Sequence, residues 1–153
     1  MAFLESAIVT ARSRGYLPLQ SGMPCLREAP EWLDNIQLPG GVARLETHLG
    51  VTIPEAVREF WAFPSLVRLL DSWRWQDYLC EEPAVVVWDK TPHLLVCSHP
   101  HSGGIGAVRL GAGDDPPMYW GWEDEESSLQ LATDRFSEHV RIAVEHGPSG
   151  GTS

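Results

Sequence analysis

Basic side chains are scarce in this 153-residue chain. Eleven Lys and Arg stand against 21 Asp and Glu, a formal net charge of −10, and Lys90 is the sole lysine. A field of that sign repels phosphate backbones and anionic membrane surfaces, which argues against general nucleic-acid or lipid binding. A basic protein partner is instead attracted and steered. Long apolar runs are also missing. No stretch reaches the roughly 18 apolar residues of a transmembrane helix. Glu5 interrupts the apolar residues at the start and no basic stretch precedes them, so a signal peptide is not expected. Cysteine is limited to Cys25, Cys80 and Cys97, odd in number and widely spaced. That excludes a disulfide framework and makes a reducing cytoplasm the expected location.

What is present describes one globular domain. The hydrophobic fraction is 43% and the charged fraction 21%, close to globular averages, at a length that encloses a continuous core. Apolar spacing predicts a helix over 3–14, with Leu4, Ile8 and Ala11 on one face and Gly15 as its stop. Pro18, Gly22, Pro24, Pro30 and Pro39-Gly40-Gly41 break the next stretch, leaving a helical turn over 31–36. Helices follow over 41–49, ended by Gly50, and from Thr52, where Thr52 and Glu55 form a capping-box pattern around Pro54. Phe60 and Trp61 fall on the buried stripe of that helix. A further helical segment carries Leu66, Leu69, Leu70 and Trp73.

After Glu82 the period changes from helical to alternating. Strands are expected over 84–88, 93–98, 105–110 and 118–122, joined by turns short enough to make them antiparallel neighbours. A last helix runs over 134–145, with Phe136, Val140, Ala143 and Val144 together. The expected architecture is α+β: an antiparallel-dominated sheet of four to six strands, helices on one face, N-terminal helices and a C-terminal helix. Residues 1–35 read as an N-terminal helical extension, 36–146 as the main domain and 147–153 as a flexible tail.

Few residues look chemically active. Cys97, His99 and His101 point to one side of an extended backbone, with His93 and Cys80 as possible neighbours. The C-x-H-x-H spacing is not that of usual zinc pairs, so no metal is expected, a metal-dependent enzyme being the alternative. Cys25 and Cys97 lack the surroundings of a Cys–His nucleophile. No P-loop, G-x-G-x-x-G, G-x-S-x-G or H-E-x-x-H motif occurs, and no cofactor is expected. Gly103, Gly104 and Gly106 follow one strand and precede another strand instead of a helix, so they read as hairpin glycines and not as a phosphate cradle. Residues 114–126 are more informative: Asp114, Asp115, Glu123, Asp124, Glu125 and Glu126 with no base among them, bracketing Met118, Tyr119, Trp120 and Trp122. Alternation puts Trp120 and Trp122 on one face and Tyr119 on the other. Acids around aromatics suit a protein-binding patch, with aromatic anchors and steering charges. The competing reading puts the tryptophans in the core and the acids in a solvated loop.

The segment Val42-Ala43-Arg44-Leu45-Glu46-Thr47-His48-Leu49-Gly50, then Ile53-Pro54-Glu55-Ala56-Val57-Arg58-Glu59-Phe60-Trp61, resembles the opening pattern of the SUKH superfamily. That group includes fungal cell-wall-assembly regulators and many bacterial immunity proteins. Gly113-Asp114-Asp115-Pro116-Pro117-Met118-Tyr119-Trp120 is similar to its glycine-acid-proline turn before an aromatic strand, and Asp134-Arg135-Phe136-Ser137-Glu138 to its last helix. The resemblance spans 36–146. It departs at Ala62-Phe63-Pro64, where the family often has Asn-Gly, and at the tryptophan-rich insertion 71–79. It implies a non-enzymatic α+β domain without catalytic residues: an immunity protein blocking a cognate toxin, often a nuclease, or a regulatory scaffold.

Overall fold

The computed structural model describes residues 3–20, 22–73, 76–79, 82–99, 103–122 and 125–149, with backbone alone for 125–128 and 149. Among the described residues six α-helices and a five-stranded antiparallel sheet make an α+β fold. The helices are α1 (Glu5–Ser13), α2 (Glu31–Ile36), α3 (Gly41–Leu49), α4 (Glu55–Trp61), α5 (Pro64–Ser72) and α6 (Phe136–His146). The strands β1 (Val85–Trp88), β2 (Thr91–Ser98), β3 (Ile105–Arg109), β4 (Met118–Trp122) and β5 (Glu125–Thr133) form a meander in chain order. Among the described residues no helix is long and apolar enough to cross a membrane.

One apolar core lies between the helices and the sheet. Leu94 and Val96 of β2, Val108 of β3 and Met118 of β4 meet Val57 and Phe60 of α4, Leu66 and Leu70 of α5, and Phe136 and Val140 of α6. Phe60 and Trp61 are both buried. Phe60 packs edge-on against Tyr78 and Phe136, and Trp61 against Trp32. The segment set apart in sequence as an N-terminal extension shares this core through Leu4, Ala7, Ile8, Ala11, Leu17 and Leu33. Its start is held by Glu59 of α4, whose carboxylate accepts the Leu4 amide at 2.7 Å. Farther along, the Arg27 guanidinium grips buried Asp71 of α5 and reaches Asp77 at 3.4 Å.

Two local expectations need correction. The Thr52–Glu55 capping box does not form. Helix α4 starts one residue after Pro54 and has no side-chain cap of its own. Its entry is fixed by distant groups: Glu46 of α3 accepts the Ile53 amide at 2.8 Å, and the Asp114 carbonyl accepts the Ala56 amide at 2.9 Å. The second correction concerns the acidic run. Glu125 and Glu126 open strand β5 instead of lying in a loop, with Trp122 of β4 opposite Glu125. Ser127, Ser128 and Gln130 weaken any strand signal, and pairing with β4 supplies what intrinsic preference lacks.

The sheet is strongly curled. A bulge interrupts β2 between Leu95 and Cys97, and the β4–β5 ladder shifts register twice. Bulges increase twist and bend the strand that carries them. Strands β1 and β4 are three positions apart, which in a flat sheet is about 14 Å. Yet Trp88 of β1 donates its indole N–H to the Trp122 carbonyl of β4 at 3.1 Å. The face away from the helices therefore closes over a small second cluster of Val86, Trp88 and Ala107, joined by Ile105, Tyr119 and Leu129. Gly106 sits at the main-core side of β3, where a β-carbon would come within 2.7 Å of Met118 and 2.8 Å of Cys97.

Candidate partner-binding face

The turn before β4 holds two helices. While the Asp114 carbonyl caps α4, the Asp115 carboxylate accepts both the Ser137 amide, at 2.9 Å, and the Ser137 hydroxyl, and the Pro116 carbonyl accepts the Phe136 amide at 2.8 Å. Those amides belong to the first turn of α6, where helix donors have no partner inside the helix and negative charge is favoured. Of the two acids, the Asp114 side chain is exposed, whereas Asp115 is partly buried with both oxygens engaged.

The three aromatics of β4 go to different places. Tyr119 packs on the outer cluster and lies edge-on to the His93 ring. Trp120 packs against the main core, with His99 edge-on at 6.2 Å. Trp122 is 41% exposed. Trp120 is half-buried while Trp122, two residues on, lies exposed at the end of β4; the extra residues of the register shift between them belong to β5. Leu131 of β5 lies opposite Tyr119 and is 53% exposed, and Val87 of β1 is also exposed. Exposed Leu131 was not singled out by sequence, because strand β5 itself was not. Glu123 and Asp124 lie outside the described residues, as do the side chains of Glu125 and Glu126.

The proposed Cys–His set divides across the sheet. The β2 bulge turns Cys97 into the main core, next to Gln76, while His93 is buried on the opposite face between Trp88 and Tyr119. His99 stays at the end of β2 beside Trp120, and His101 and Cys80 lie outside the described residues. Cys25 is exposed in the irregular segment after α1. Among the described residues no group of three or more His, Cys, Asp and Glu side chains converges to hold a metal ion. Burial lowers the His93 pKa, partly opposed by the Thr91 carbonyl that its Nδ1 contacts at 2.8 Å.

A second polar group lies inside the main core. Gln76 Oε1 accepts the Tyr78 hydroxyl at 2.6 Å and faces the Cys97 thiol at 3.8 Å, while Tyr78 Oη meets His139 Nε2 at 2.9 Å. With the tyrosine proton given to Gln76, a neutral His139 donates from Nε2. Burial drives the His139 pKa down to about 4 and pushes Tyr78 well above its ordinary value. The cavity beside this network, lined by Trp32, Trp61 and Cys97, is about 10 Å³, room for one water and no substrate. The network is a satisfied core element.

Compared with known protein families, curated proteins and solved structures, the chain matches none.

Proposed function

We propose that this is a non-enzymatic protein-binding domain of the immunity type, acting in the cytoplasm to bind and neutralise a basic cognate toxin, with a nuclease as the class best matched to its charge. The observation that carries this reading is the β4–β5 strand pair. It presents exposed Trp122 and Leu131, and the 114–126 stretch running into and through β4 holds six acids and no base, of which Asp115 is engaged in the α6 cap. Aromatic and aliphatic anchors within a charged rim are what a steered protein interface requires. The net charge of −10 and the SUKH-like order of motifs over 36–146 support the same reading. Fold class alone does not select a function, whereas an exposed apolar surface beside acidic residues favours a basic protein partner.

The test is co-expression with the product of the adjacent open reading frame. Relief of a growth arrest caused by that product, with a one-to-one complex recovered from purified components, is the expected result. A neighbouring product that is harmless and leaves this protein monomeric on mixing would refute the immunity reading.

A further inference from the structure

Strand β5 ends the sheet order, so one of its sides has no neighbouring strand among the described residues. It is the longest strand, at nine residues. Residues 129–133 make no backbone hydrogen bond beyond the β4 ladder among the described residues. Such an edge offers amide and carbonyl groups, which proteins commonly blunt with proline, lysine, a short strand or bulges. The extra residues of both β4–β5 register shifts lie in β5, which leaves Gln130 and Leu131 as its regularly paired stretch. Glu125–Thr133 contains no proline, lysine or arginine. The opposite edge is shorter: β1 has four residues.

We propose that the open edge of β5 takes an extended, basic segment of the partner protein as a sixth strand. This rests on the reading of the partner as a basic protein and specifies how it docks. Backbone pairing supplies affinity in strand addition, and flanking side chains supply selectivity. Leu129 packs on the outer cluster and Leu131 is exposed opposite Tyr119, so an added strand meets an apolar row on that face. Glu125 and Glu126 head the strand, and no base lies within it. That selects a basic segment over a second copy of the chain, since each copy carries −10.

The experiment measures amide hydrogen exchange on the full chain at low salt, with and without a lysine–valine alternating peptide long enough to span the nine residues of β5. The outward-facing amides within 129–133, Gln130 or Leu131 among them, should exchange at least about tenfold more slowly with peptide, because neighbouring N–H groups of the regularly paired edge segment point to opposite sides. The control replaces each valine with proline and keeps the lysines, so its charge is unchanged but it cannot pair. Gln130→Pro and Leu131→Pro extend the test: the one whose amide points outward should lose peptide binding yet melt normally, since proline is tolerated on that side of an edge strand. No slowing within 129–133, equal slowing by the proline control, or slowing that appears in the chain alone as its concentration rises would each overturn the proposal. These readouts use no toxin, so neutralisation of the toxin without peptide pairing refutes strand addition and leaves the immunity reading standing.

Discussion

Asp115 and Ser137 are 22 residues apart, yet one carboxylate accepts both the amide and the hydroxyl of Ser137 and so holds the first turn of α6. The same turn caps α4 through the Asp114 carbonyl. An acidic turn that reads as solvated loop thus orients two helices against the sheet. Asp115→Ala should cost about 1–2 kcal/mol in urea unfolding, the usual range for a lost cap. Asp114→Ala should change stability by less than about 0.5 kcal/mol, because its contribution comes from the backbone. Equal effects from both variants would contradict this division.

His139 makes stability depend on pH. Its folded pKa is about 4, below the ordinary 6.5, so the unfolded chain binds the proton first as pH falls. Its contribution is complete above about pH 6.5 and declines toward pH 4, with a ceiling of about 3 kcal/mol. The check is the unfolding free energy of wild type minus His139→Leu between pH 7 and pH 4. That difference should shrink on acidification, and a constant difference would show that the imidazole titrates normally.

Arg27 neutralises an acid that is otherwise enclosed. Asp71 keeps the Tyr78 and Leu79 amides as donors, at 3.0 and 3.2 Å, when the guanidinium is removed. Arg27 is itself 35% exposed. Arg27→Met should therefore cost about 2–3 kcal/mol, somewhat below the range for a fully enclosed pair. Adding Asp71→Asn should restore part of that loss in a double-mutant cycle, because the stranded charge is gone.

Trp61 is buried against Trp32, with ring centroids 5.3 Å apart. Trp61→Ala should cost about 3–5 kcal/mol by thermal or denaturant unfolding, as large-to-small core changes do. A loss below about 1 kcal/mol would mean that the cavity collapses or that α4 is solvated.

Charge at the β4–β5 end should govern encounter with a basic partner. Replacing Glu123, Glu125 and Glu126 with Gln, and Asp124 with Asn, should lower the on-rate more than it raises the off-rate. The difference from wild type should fade as salt rises, since screening sets in beyond about 8–10 Å at moderate ionic strength. Stopped-flow or surface-binding kinetics at two salt concentrations checks both statements. Equal on-rates at low salt would remove this acidic stretch from the interface.

The sequence by itself determined the α+β class, the helix positions and four of the five strands. The reason is periodic: Leu66, Leu69 and Leu70 recur at helical spacing, and the Val85–Trp88 run is β-branched and bounded by turn residues. It also determined the charge imbalance, which needs no fold. Tertiary structure decided what neighbours across the chain supply. Strand β5 forms on β4 despite its serines, and α4 takes its caps from Glu46 and Asp114 in place of Thr52. The bulge in β2 sends Cys97 and His93 to opposite faces, and the end of β4 leaves Trp122 exposed where Trp120 packs on the main core. An inserted residue reverses every later side chain without marking the sequence, so which residues meet was a property of the folded sheet.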